Sequence, residues 1–193
     1  MRTTSDKSLI EELQTGRLDA LGILYDRHRQ MVYRTALGIT GDNEAASDLL
    51  QDVFLRLHRF CQRVDSERPL EPWLYRVTAN LAYTWVKQRR RWFSPLEDIV
   101  EWFTGSRKNT PHQLVELGDD LQQVSQALAA LPLQQRLVVV MYYLNDLSIQ
   151  EVSEVLDVPA GTVKSRLHYG REALKKQLGM HAELRAEVGY EFT

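Results

Sequence analysis

SIQEVSEVLDVPAGTVKSRLHYGREALKKQL, residues 148–178, is the stretch from which the rest of the chain is placed. Ser148 followed by Glu151 is a Ser-x-x-Glu pattern, in which hydroxyl and carboxylate each satisfy a backbone N–H left open at a helix start. Val152, Val155 and Leu156 continue at helical spacing. Asp157-Val158-Pro159 ends that helix, because proline lacks an N–H and pushes the residue before it toward extended conformations. A second helix restarts near Ala160-Gly161. Two short helices across so tight a turn form a helix-turn-helix. Along the second, Val163, Leu167, Leu174 and Leu178 share a face at about 100° per residue. Ser165, His168, Tyr169 and Glu172 point away from it, with Thr162 close by. Lys164, Arg171 and Lys175 flank that outward face on one side, Arg166 and Lys176 on the other. Polar groups for base edges between cations for phosphates suit a helix that lies in a major groove. A solvated surface helix would show the cations too, but it needs neither the cap nor the break.

The bulk of the chain narrows the classes. With 193 residues, 44% of them hydrophobic, it can bury one core or two small ones. A net charge of −2 gives no global positive field, so nucleic acid must be held by local patches. No apolar run reaches the roughly 18–20 residues that span a bilayer, and residues 1–6 do not lead into a signal-peptide apolar region. Cys61 is the single cysteine, which excludes an intrachain disulfide and fits a reducing cytoplasm. His58 and Cys61 are two nominal metal ligands without a second pair, and two ligands do not make a site. No metal or other cofactor is expected. Nor does any segment read as a nucleotide-binding glycine loop or a catalytic triad, so the chain is not expected to be an enzyme.

Upstream, helical periodicity dominates. A short amphipathic helix over 5–16 starts at Ser5 or Asp6 and carries Leu9, Ile10 and Leu13. A longer one over 18–39 carries Leu21, Leu24, Tyr25, His28, Val32, Ala36 and Ile39. Asp42 or Asn43 caps a third, with Ala46, Leu49, Leu50, Val53, Phe54 and Leu57 as its stripe. No alternating strand pattern extends beyond a few residues, and the fold is expected to be all-α. After a proline-punctuated loop over 64–72, a helix runs from Trp73 to about Trp92. Its inner stripe is Leu74, Val77, Thr78, Leu81 and Trp85; the opposite stripe is Trp73, Arg76, Asn80, Tyr83, Thr84, Lys87 and Arg91. Arg89, Arg90 and Arg91 close the helix. Cations late in a helix complement its dipole, but aromatic rings on the same stripe also offer stacking platforms for single-stranded bases. Residues 94–118 turn acidic around a Gly-Ser-Arg-Lys-Asn-Thr-Pro run and read as a linker, with a marginal helix at 96–103. Periodicity resumes at Leu121, breaks at Leu131-Pro132 and continues to Leu144 as a buried helix in spite of its valine run. Gly179 stops the last helix, and 180–193 form a tail with at most a weak helix over 181–188.

Two small helical domains in this order, over roughly residues 18–178, resemble a bacterial group IV, or extracytoplasmic-function (ECF), sigma factor. Asp48-Leu49-Leu50-Gln51-Asp52-Val53-Phe54-Leu55 is similar to that family's region 2.2. Pro72 to Asn80 is similar to the start of regions 2.3 and 2.4, and Gly161 to Leu167 to the recognition helix of region 4.2. The resemblance implies a division into region 2 (1–93), linker (94–118), region 4 (119–178) and tail (179–193). It implies that Asp48, Leu49, Gln51, Asp52 and Phe54 dock on the β′ clamp helices of core RNA polymerase, whose β flap is the other expected polymerase contact. Arg76, Asn80, Tyr83, Lys87, Arg89, Arg90 and Arg91 would hold the non-template strand of the −10 element. Thr162, Lys164, Ser165, Arg166, His168, Tyr169 and Arg171 would read the −35 duplex. An anti-sigma factor is a further partner the resemblance implies. The chain departs from the family pattern at Thr84, Lys87 and Tyr169-Gly170, which bears on the promoter sequence it reads. The other reading open at this point is a stand-alone helix-turn-helix regulator whose N-terminal half senses or dimerises.

Overall fold

The computed structural model describes residues 4–92 and 119–179, with side chains at 4–89 and 123–179. Among the described residues eight α-helices follow one another: α1 (Asp6–Gln14), α2 (Asp19–Thr40), α3 (Asn43–Phe60), α4 (Glu71–Trp92), α5 (Asp119–Ala130), α6 (Leu133–Val139), α7 (Ile149–Leu156) and α8 (Ala160–Gln177). A 3₁₀ turn, Cys61–Arg63, follows α3, and a π-helical turn, Val140–Leu144, prolongs α6. Among the described residues there is no strand, and no helix is long and apolar enough to cross a membrane.

Local chemistry sets most of the boundaries. The Ser5 hydroxyl accepts from the Ser8 N–H at 3.3 Å to start α1. Gly41, in the left-handed region with φ 67°, closes α2 through its N–H to the Leu37 carbonyl. One residue on, the Asp42 carboxylate accepts from the Ala45 N–H at 3.0 Å and opens α3. At α7 both halves of the capping box are present: the Glu151 N–H reaches the Ser148 hydroxyl, and the Ser148 N–H donates to the Glu151 carboxylate at 2.8 Å. Those hydrogen bonds, from the hydroxyl first and then the N–H, hold the Glu151 carboxyl below its ordinary range. Asp157 turns the chain in the left-handed region, φ 52°, ahead of Pro159 and α8.

Two apolar clusters result. One lies under α1, α2, α3 and the start of α4 and includes Leu9, Leu24, Val32, Val53, Leu57, Leu70 and Leu74. Cys61 is buried there, while His58 is exposed on the other side of the α3 end. The second cluster joins the far ends of α2, α3 and α4 to the later helices: Ala36, Ile39, Ala79 and Ala82 meet Leu137, Val138, Met141, Val152 and Val163.

This second cluster changes the burial of α4 from the one-stripe expectation. Leu74 and Thr78 are buried as the periodicity predicts, but so are Tyr75, Ala79, Ala82 and Val86. Val77, Leu81 and Trp85 are only half-buried. The physical reason is a second packing partner, α7, on a side of the helix that the stripe leaves open. Burial accordingly raises the Tyr75 phenol above its ordinary pKa. The helix expected through Leu144 is there, but its last turn is π-helical, a widening that often marks functional positions. The linker over 94–118 with its helix at 96–103, and the tail with its helix at 181–188, lie outside the described residues.

Candidate nucleic-acid interface

Helix α8 is seated by Val163 and Leu167, both buried, with Leu174 and Leu178 half-buried on the same side. Gly170 is buried in that face too, although no apolar pattern marks it. A Cβ there would come within 2.8 Å of Val139 Cγ2, so glycine lets α6 and α8 approach closely. The opposite face is open: Lys164, Ser165, His168 and Tyr169 are exposed, Tyr169 at 62%. Thr162, Arg166 and Arg171 are half-buried at its edges. The His168 and Tyr169 rings meet edge-on with centroids 5.4 Å apart. All seven residues expected to read duplex DNA therefore lie on or beside one accessible surface. Near the end of the helix Lys175 pairs with Glu172 at 3.1 Å; the hydrogen bond, then the charge, lowers the Glu172 carboxyl.

The single-strand set on α4 is more varied. Asn80 and Thr84 are exposed, and the Thr84 hydroxyl donates to the Asn80 carbonyl at 2.8 Å. That bond uses the Asn80 backbone and not its side-chain amide. Lys87 lies 4.7 Å above the Tyr83 ring, a cation on an aromatic face of the kind that can also take a base. Arg89 stacks 5.0 Å over Trp85 and pairs with Asp42, which fixes it along the protein surface. Burial alone would raise the Asp42 carboxyl; the Ala45 N–H, Arg89 and the Glu44 N–H together outweigh it and hold the group below its ordinary value. The Arg76 guanidinium donates to the Glu154 carbonyl in α7. Arg90 and Arg91 have side chains outside the described residues.

On α3 the expected docking residues divide. Asp48, Gln51 and Asp52 are exposed along one stripe. Leu49 and Phe54, at 5% and 4% exposure, are core residues, and Phe54 packs edge-on against Tyr25 with centroids 4.9 Å apart. Both belong to the apolar stripe that seats α3 on α2 and α4, and both are buried in this structure. The apolar group that does face outward there is Leu55, 63% exposed. An outward leucine among carboxylates is the signal that the motif match passed over.

Among the described residues one ligand-like grouping lies elsewhere. Asp6, His28 and Glu71 bring ligand atoms within 4.8 Å of one another. The Asp6 carboxylate already accepts from His28 Nε2 at 2.7 Å and from the Arg27 guanidinium. These contacts tie α1 to α2.

Profiles of two sequence families match the chain: "Sigma-70 region 2" over residues 24–92 and "Sigma-70, region 4" over 121–174. The ECF RNA polymerase sigma factor SigW of Bacillus subtilis is 29% identical over 186 residues, covering 89% of this chain and 96% of that one. The ECF RNA polymerase sigma factor SigL of Mycobacterium tuberculosis is 31% identical over 156 residues, covering 80% of this chain and 86% of its own. Among solved structures, CnrH in complex with the cytosolic domain of CnrY has a similar fold: TM-score 0.67 at 21% identity, covering 92% of this chain and 99% of that one.

Proposed function

The chain belongs to the ECF group of the sigma-70 family of RNA polymerase sigma factors, and on that premise we propose that it directs core RNA polymerase to promoters by gripping DNA at two places. Residues 119–178 act as region 4 and hold the −35 element as duplex through Thr162, Lys164, Ser165, Arg166, His168, Tyr169 and Arg171. Residues 1–93 act as region 2. There Asn80, Tyr83 and Lys87 receive the non-template strand of the −10 element, with Arg76, Arg89, Arg90 and Arg91 toward phosphates. Asp48, Gln51, Asp52 and Leu55 form the face toward the β′ clamp helices, and residues 94–118 link the two regions.

The observation that carries this reading is the pairing of two unlike surfaces on separate helices. Helix α8 presents cations and polar side chains, with His168 and Tyr169 among them, along the outward face of a helix-turn-helix, as duplex readout needs. Helix α4 instead presents an exposed amide beside an aromatic–cation pair, as an unstacked strand needs. A base drawn out of the helix loses a few kcal/mol of stacking and pairing, which hydrogen bonds from a side chain such as Asn80 offset. Nucleotide addition belongs to the polymerase, and the protein works beside it in the bacterial cytoplasm. The CnrH structure contains a bound CnrY domain; an anti-sigma factor that covers both regions is the corresponding control here.

Transcription from a library of promoter-sized templates, with core polymerase and the purified chain, tests the reading. Specific start sites should appear only when both are present. Specific initiation that does not depend on the chain would overturn it.

A further inference from the structure

Helix α8 is pinned at two points, and most of the residues assigned to duplex reading lie between them. Its start is pinned by the turn from α7. There the Ser153 hydroxyl donates to the Val158 carbonyl at 2.6 Å, and the Val158 N–H returns to the Ser153 carbonyl at 3.1 Å. The Thr162 and Val163 N–H groups then both close on the Pro159 carbonyl, at 2.8 and 3.1 Å. The second point is Gly170, buried against α6 and about 15 Å along the helix from Ala160. Thr162 through Tyr169 occupy the span between.

A glycine inside a helix is less favourable than alanine, so packing has to account for Gly170. The other glycine of α8, Gly161, has nothing within 4 Å of where a Cβ would stand. A Cβ on Gly170 would lie 2.8 Å from Val139 Cγ2, 3.6 Å from Gln135 Cβ and 3.8 Å from the Gln135 carbonyl oxygen. Val139 has little room to yield. It ends α6, is 3% exposed within the apolar cluster, and carries its methyls on a stiff β-branched Cβ. Relief would therefore fall on α8. Restoring an ordinary carbon contact of about 3.5–4.0 Å lifts the helix by about 1 Å, a tilt of about 4° over the distance from the turn. His168 and Tyr169, beside the lifted point, move by nearly the full amount, and Thr162, beside the turn, by little. Groups that recognise a ligand need placing to within about 0.5 Å. Nor can the duplex simply follow α8, because the first helix of such a motif meets the phosphate backbone. That helix, α7, stays anchored through the buried Val152 and Val155.

We propose that Gly170 is a positioning residue for promoter recognition: carrying no side chain, it lets α8 lie close on α6, and that close seat aims His168 and Tyr169 at their base pairs. Gly170 touches no DNA itself. The inference rests on the sigma-factor reading above and adds to it a residue that selects sequence without contacting it.

The test is initiation by core polymerase and the full chain on templates with a randomised upstream element and a fixed downstream one, read as base preference at each position. His168→Ala and Thr162→Ala mark the base pairs that each end of the reading face serves. Gly170→Ala should cut discrimination about fivefold to tenfold at the His168 pairs, as partial loss of a base contact implies, and less than about twofold at the Thr162 pairs. Adding Val139→Ala takes away the opposing methyls and should restore the unsubstituted pattern. A purely structural role would lower total initiation and thermal stability and leave the pattern unchanged. Val139→Ile crowds the same contact from α6 with α8 unaltered and should change the same pairs; it decides the matter if Gly170→Ala does not fold. A Gly170→Ala pattern that matches the unsubstituted chain, or a change that Val139→Ala does not reverse, would overturn the proposal. No specific initiation by the unsubstituted chain would instead defeat the sigma-factor reading. Crystals of the Gly170→Ala chain, in which α6 and α8 should stand about 1 Å further apart, would then still decide whether Gly170 sets the seat.

Discussion

Replacing Arg136 with methionine should be among the most damaging changes that leave the proposed interfaces untouched. Arg136 is 4% exposed, and its guanidinium donates to the carbonyls of Ile39, Ala129 and Leu131. Methionine preserves most of the volume, so no large cavity is added to the cost. Three carbonyls lose a charged donor, and each buried acceptor left unsatisfied costs about 1–3 kcal/mol. The gain from no longer burying a cation offsets part of that. A net loss of about 2–4 kcal/mol remains. For a chain of this size each kcal/mol corresponds to about 2–4 °C in Tm, so thermal unfolding followed by far-ultraviolet circular dichroism should fall by about 10 °C. A loss below about 0.5 kcal/mol would refute the reasoning, because it would mean that those carbonyls find other donors once the guanidinium is gone.

Ser148→Ala removes one half of the capping box and should cost about 1 kcal/mol, read as a lower urea midpoint and faster amide exchange in α7. Asp42→Asn keeps a side-chain acceptor for the Ala45 N–H but loses the ion pair with Arg89, about 0.5 kcal/mol at neutral pH for so exposed a pair. Because the folded-state pKa of Asp42 lies below its ordinary 3.8, the advantage of aspartate is complete above that value and disappears as pH falls through the folded pKa. Urea midpoints of the two proteins should therefore differ at pH 7 and converge only as pH falls below the folded pKa of Asp42. Asn80→Ala should impair promoter opening, read by permanganate reactivity, far more than initial promoter binding. Arg166→Ala should weaken upstream duplex contact by about 1–3 kcal/mol if the guanidinium reads a base, measured by polymerase retention on templates with and without that element.

What was legible in the chain was what is local. Ser148 with Glu151, Asp42 ahead of α3, Gly41 after α2 and Pro159 ahead of α8 act within a few residues, and the helices start and stop where they say. The outward face of α8 was equally readable, since one apolar stripe fixes where the remaining side chains point. The burial of Tyr75, Ala79 and Ala82 was not, because it comes from α7, some seventy residues away along the chain. Alanines leave little trace in an apolar pattern, and a buried arginine such as Arg136 reads as a surface group until its carbonyl partners are known. Leu49 and Phe54 show what a motif leaves unsaid, for both are buried in the structure. A family motif names positions without separating those that hold a helix in place from those, like Leu55, that face outward.

Footprinting on a mapped promoter decides most directly whether the chain acts with the polymerase rather than as a duplex-binding regulator. With core polymerase, the chain should protect the upstream element as duplex and render the downstream element reactive to permanganate, and without core polymerase it should do neither. Specific protection of promoter duplex by the chain alone, with no opening when polymerase is added, would contradict the account.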